Sequence, residues 1–206
     1  MFNSCIMLRS LILFHLGINF SAATFQGIQL SPDYDLHSRP TNGNPDVPLE
    51  VSFSIYLGSI FAIDEPTQSV SIEAIIRCAW RDDRIRFKHP NETSRPYLLF
   101  SRNPVGEIWF PDMYIDMAKS IGVPSYKVPP EYLRVYPDGS LLFAAKVTLE
   151  LACYMDFSDY PVDTQKCDIM MESWGTEMND VVYKWKREDN QVNACMLPPM
   201  MIPSSN

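Results

Sequence analysis

LLFAAKVTLELACYMDFSDYPVDTQKC, residues 141–167, carries the two features from which the rest of the chain is read. In its first half Leu141, Phe143, Ala145, Val147, Leu149 and Leu151 share one face of an extended chain, while Ala144, Lys146, Thr148 and Glu150 lie mainly on the other. Successive side chains of a strand point to opposite faces, so this period of two predicts a half-buried strand. Pro137, Asp138, Gly139 and Ser140 ahead of it predict a turn, because proline sets φ and glycine accepts positive φ. The second half is bounded by Cys153 and Cys167 and holds Phe157, a Tyr160-Pro161 step and the carboxylates of Asp156 and Asp163. A disulfide closing that loop would remove chain entropy worth roughly 3 kcal/mol and hold the segment rigid. A stiff, partly apolar projecting loop is suited to pressing against another domain and transmitting movement.

The same alternation recurs on both sides. In residues 51–57, Val51, Phe53, Ile55 and Leu57 alternate with Ser52, Ser54 and Tyr56. In residues 69–77, Val70, Ile72, Ala74 and Ile76 take one face, which leaves Glu73, Ile75 and Arg77 together on the other. Residues 168–174 and 181–185 read as two further strands around a turn at 175–180. Seventeen prolines punctuate these runs, as suits short strands joined by turns. A short helix is expected within residues 29–36, followed by a turn-rich connection to Pro48. The expected fold is therefore all-β, an Ig-like β-sandwich of about ten short strands with a short N-terminal helix. A chain of 206 residues, 46% hydrophobic, suits one domain with a real core.

Residues 1–23 read as a secretory leader: one Arg, a short apolar run, then Ser21 and Ala23 at the positions a signal peptidase favours, with an uncleaved anchor as the other reading. The expected division is a leader over 1–23, a helix and linker over 24–48, and the main domain over 49–206. Beyond the leader stand Cys78, Cys153, Cys167 and Cys195, and four cysteines in an oxidising compartment allow three pairings. Cys153 with Cys167 is the pairing favoured, and whether Cys78 and Cys195 meet stays open. Asn91-Glu92-Thr93 is a glycosylation sequon. A net charge of −8 without a basic cluster argues against nucleic acid and anionic lipid as partners.

Catalytic chemistry is not written into the chain. His37 and His89 lie in turn-like segments without ligand spacing, and no metalloprotease, dithiol, nucleophile-elbow or phosphate-loop motif occurs. Asp82, Asp83, Asp112 and Asp116 fit solvated turns at least as well as catalytic pairs. No enzyme, cofactor or metal is expected.

The spacing C-x3-F-x2-YPVD-x2-KC over residues 153–167 resembles the signature loop of the Cys-loop receptors, the pentameric ligand-gated ion channels. Other motifs follow in that family's order: WRDDR at 80–84, WFPD at 109–112, RVYPDGS at 134–140, ESWG at 172–175 and MND at 178–180. The likeness covers about residues 33–200 and is nearest to the glycine, GABA and glutamate-gated chloride channels. It implies an extracellular sandwich assembled as a ring of five subunits, with a small amino-acid or amine transmitter bound between neighbours. Carried onto this chain, it implies that Tyr114, Glu172, Ser173 and Trp174 form the half that holds an ammonium group. Arg77 would pair with a carboxylate from the opposite half, a bidentate task for which guanidinium is suited.

Departures accompany the match. Met117-Ala118 stands where an Asn-Glu pair is usual, Ala144 replaces a hydroxyl-bearing residue beside Arg77, and Thr176 replaces a second aromatic. These weaken the expectation of glycine, GABA or glutamate as ligand. The resemblance also implies two more strands and four membrane helices after Lys186, so the chain is expected to be a shortened form, reaching a membrane only through a pore domain supplied elsewhere. The alternative is a secreted transmitter-binding or dominant-negative receptor-like protein without channel activity.

Overall fold

A computed structural model describes residues 24–25, 28–87, 96–100, 106–124 and 127–186. They form twelve strands: β1 (Thr24–Phe25), β2 (Ile28–Leu30), β3 (Leu49–Asp64), β4 (Ser69–Arg81), β5 (Ile85–Arg86), β6 (Leu98–Phe100), β7 (Met113–Ile115), β8 (Ala118–Gly122), β9 (Glu131–Val135), β10 (Ser140–Ala152), β11 (Met171–Ser173) and β12 (Val181–Trp185). The architecture is the all-β sandwich expected. The large sheet runs β12-β3-β4-β10-β9-β6, with β8 added to β10, and a two-stranded sheet β11-β7 forms the opposing layer. Its pairs are antiparallel except β12 with β3, which runs parallel from Val181 beside Leu49 to Trp185 beside Phe53.

Alternation places the core as the pattern predicts. Val51, Phe53 and Ile55 of β3, Val70, Ile72 and Ala74 of β4, and Leu141, Val147, Leu149 and Leu151 of β10 are all buried. Burying one such aliphatic side chain contributes about 1.5–3 kcal/mol. Ile115 of β7 joins this core, with Met113 and Met171 packed against it. At one end of the core the Trp80 ring packs edge-on to Phe110 at 4.8 Å and to Trp109 at 6.3 Å.

Two expectations need correction. No helix occupies residues 29–36: Ile28–Leu30 is strand β2, paired with β5 through Gln29 and Leu30, and the residues after it form turns. The apolar Ile28 is fully buried, so the segment gains more from extending along a sheet edge than a marginal short helix would return. Asp82, expected in a solvated turn, is also fully buried. Arg84 donates to both its carboxylate oxygens at 2.8 Å, the Arg84 backbone N–H donates at 3.0 Å, and the Tyr34 hydroxyl at 3.4 Å. Tyr34 in turn accepts from the Trp109 N–H at 2.8 Å and lies beneath the Arg84 guanidinium. The WRDDR segment is thus a buried ionic clamp on the N-terminal segment. Gly139 closes against it: its φ is +82°, and a Cβ there would meet the Asp82 carbonyl oxygen at 2.6 Å. The expected strand at 168–174 shortens to Met171–Ser173.

Cys153 and Cys167 are joined by a disulfide. Inside the loop, buried Gln165 accepts from the Asp156 N–H at 2.8 Å and donates to the Asp156 carbonyl at 2.7 Å, so a side chain bridges the two arms. Tyr154, Phe157, Tyr160 and Val162 remain exposed. Replacing both cysteines by serine should lower stability by about 2–4 kcal/mol, read as a drop in urea midpoint. A change below about 0.5 kcal/mol would show that Gln165 alone holds the loop. Cys78 is a free thiol, 2% exposed, and burial pushes its pKa up to about 12, which leaves it inert at neutral pH. The leader over 1–23, the sequon at Asn91 and Cys195 lie outside the described residues. Among the described residues no helix is long and apolar enough to cross a membrane.

Candidate functional site

Proline at 111 interrupts the chain after Trp109 and Phe110 have entered the core, which leaves Asp112 at the surface where β7 begins. β7 pairs antiparallel with β11, and the register sets Tyr114 directly opposite Glu172 and Met113 opposite Ser173. Tyr114 donates its hydroxyl to Glu172 Oε2 at 3.0 Å, and that bond holds the phenol pKa above its ordinary value. The Trp174 ring stands edge-on to Tyr114 at 5.5 Å and is 81% exposed. Four of the residues expected from sequence (Tyr114, Glu172, Ser173 and Trp174) are therefore brought together. They present an open aromatic face beside a carboxylate, an arrangement that attracts a cationic amine.

Asp112 shapes this cluster. Its Oδ1 accepts from Ser173 Oγ at 2.8 Å, from the Thr176 hydroxyl, and from the Tyr183 hydroxyl at 3.1 Å; Oδ2 accepts from the Gly175 N–H at 2.7 Å. The Trp174 N–H donates to the Asp112 carbonyl at 3.1 Å. Burial by itself would raise the Asp112 pKa, but the four donors outweigh it and bring the group down to about 2. Thr176, which stands where an aromatic was expected, is here a donor that closes the turn. Sequence reading treated Asp112 as a turn residue. The available signal was its place in WFPD, yet its donors lie 61 to 71 residues away.

Arg77 is not in this cluster. It lies on β4, opposite Ser54 on β3 and Ala144 on β10, with Tyr132 of β9 next in the row. Alternation turns that row away from the core, and therefore away from the layer that carries Tyr114 and Trp174. On the same face Lys146 pairs with Glu73 at 3.0 Å. A second arginine there escaped sequence reading. Arg134 of β9 is stacked between the rings of Tyr97 and Tyr132, 4.8 Å from each centroid, and its buried Nε has no hydrogen-bond partner. Among the described residues no group of His, Cys, Asp and Glu is arranged to hold a metal ion.

Residues 27–202 match the family described as neurotransmitter-gated ion-channel ligand binding domain. The chain is 32% identical over 162 residues to the gamma-aminobutyric acid receptor subunit rho-3 of Rattus norvegicus, covering 79% of this chain and 34% of that one. It is 32% identical over 165 residues to the subunit pi of Bos taurus, covering 80% and 36%. To the glutamate-gated chloride channel of Drosophila melanogaster it is 31% identical over 157 residues, covering 76% and 34%. The chain spans about a third of the length of these curated relatives. The family consists of receptor domains and not of enzymes. With the paired-cysteine loop, the WFPD-anchored cluster and the sandwich all present, the chain belongs to the neurotransmitter-gated ion-channel ligand-binding domains.

Proposed function

We propose that the chain is the extracellular ligand-binding domain of a pentameric neurotransmitter-gated channel subunit. It takes a small transmitter between neighbouring copies and couples it to gating where a pore domain is attached. One observation carries the reading: the amine-attracting cluster of Tyr114, Glu172 and Trp174 and the arginine-bearing row of Arg77 lie on opposite faces of one sandwich. A single chain cannot close a site from both, whereas two copies packed side by side can. The exposed apolar side of the 153–167 loop supports the coupling role, since Phe157, Tyr160 and Val162 offer a contact to a further domain. The face that binds ligand would be extracellular, reached through the secretory pathway.

The test is sedimentation of the secreted chain together with calorimetry against small amines and amino acids. An oligomer that binds, with Trp174→Ala weakening the amine by about twofold to about thirtyfold, is the expected result, since cation–π attraction is worth about 0.5–2 kcal/mol. A monomer that binds none of them, or an alanine variant that binds as the parent does, would overturn the reading. Coupling is measured separately, as ligand-dependent current when the domain is joined to the membrane portion of a relative.

A further inference from the structure

We infer that Tyr183 is a positioning residue of the ligand site: through Asp112 it ties the turn that presents Trp174 to the large sheet. The inference rests on the ligand-site reading above and adds to it a residue that sets affinity from outside the aromatic cluster. Among the described residues four groups donate to the Asp112 side chain. Three of them, Ser173 Oγ, the Gly175 N–H and the Thr176 hydroxyl, belong to the turn itself. The fourth, the Tyr183 hydroxyl at 3.1 Å, comes from β12. β12 is registered along β3, with Tyr183 beside the fully buried Val51. The Tyr183 ring is packed on the core and stands edge-on to Phe53 at 6.5 Å. A phenol has few torsions to lose, so that packing fixes it before its hydroxyl meets the carboxylate.

Trp174 needs such an anchor. Its exposed ring meets Tyr114 edge-on, and its N–H donates to the Asp112 carbonyl. An exposed side chain keeps several rotamers unless its backbone and its neighbour are held. β11 enters the turn, the turn leads into β12, and the bonds from Tyr183 and Ser173 to Asp112 join the two ends in a ring. On the far side of that ring Asp180 accepts from Arg39 at 3.0 Å and from the Leu49 N–H at 2.8 Å, which fixes the entry to β12. Asp112 and the turn stay bonded to each other with or without Tyr183. Of the donors to Asp112, it is Tyr183 that sets this pair relative to the large sheet. Burial and the Asp112 charge raise the Tyr183 pKa, so the hydroxyl stays protonated and goes on donating. A bond to a charged acceptor is also roughly twice as strong as a neutral one.

Calorimetry with propylamine, a cation without a carboxylate, tests the assignment. Tyr183→Phe keeps the ring and its packing and removes only the donor. It should weaken propylamine about 3–10-fold while circular dichroism shows the domain still folded. The same substitution made in Asp112→Ala, where the acceptor is gone, should change affinity by less than about twofold, because two residues acting through one bond do not add. Asp112→Asn, which keeps a neutral acceptor, serves should the alanine variant bind too weakly to measure, and the loss there should be smaller than in the parent. Parent-like affinity in Tyr183→Phe would overturn the inference and leave the amine site standing. An equal loss with and without the Asp112 carboxylate would overturn it as well, since Tyr183 would then act by another route. Failure of the parent chain to bind propylamine would overturn the ligand-site reading and this inference together.

Discussion

Replacing Asp82 by alanine is expected to cost about 3–5 kcal/mol, enough to leave the domain largely unfolded in mild urea. The reason is what the substitution strands. Asp82 is fully buried and accepts from the Arg84 side chain twice, from the Arg84 backbone and from Tyr34. Without the carboxylate, Arg84 keeps a charge that is mostly shielded from water, with a side-chain exposure of 18%. Among the described residues it retains the carbonyls of Asp35 and Ser38 as acceptors. Tyr34 loses one partner while still holding the Trp109 N–H, so damage passes to the segment that positions WFPD. Urea denaturation followed by circular dichroism measures the cost. A loss below about 1 kcal/mol would show that water replaces the carboxylate and that the clamp is not buried as described. Asp82→Asn should fall between, because an amide oxygen still accepts but the charge pair is gone.

The second large effect is on the ligand site. Asp112→Ala removes the acceptor shared by Ser173, Gly175, Thr176 and Tyr183, leaving the turn held by the Ser173–Thr176 bonds and by the Trp174 N–H on the backbone carbonyl of residue 112. Stability should fall by about 1–3 kcal/mol, and ligand affinity by at least about tenfold, because Trp174 would no longer be held in one orientation. Acid gives an independent readout. The folded pKa of Asp112, about 2, lies below the ordinary carboxylate value near 3.9. Its contribution is therefore fully present above the unfolded value and is lost as pH falls through the folded one. The stability gap between parent and Asp112→Asn should accordingly shrink between about pH 5 and about pH 2. A gap that stays constant across that range would show that the carboxylate charge does not hold the turn.

Much of the fold was legible because its signal is local. A period of two in residues 51–57, 69–77 and 141–153 directs each side chain in or out before any pairing is known. The structure keeps most of those assignments, while Ser54 and Ala144 on the outer face are buried as well. The helix expected at 29–36 failed because a short, weakly periodic segment carries little information of its own. A buried Ile28 and pairing to β5 decided it instead. Glu172, Ser173 and Trp174 could be singled out as a motif, but their register against Met113 and Tyr114 could not.

Local patterning along the chain sets the strand faces, the sandwich class, the two cysteines of the loop and the order of motifs that marks the family. Tertiary structure alone decided which polar groups meet. It paired Asp112 with Ser173 and Tyr183, buried Asp82 against Arg84 and Tyr34, and stacked Arg134 between Tyr97 and Tyr132. The physical reason is range. Alternation is a property of neighbouring residues, whereas a buried charge or a shared acceptor takes its energy from groups the chain brings together only after the sheets have closed.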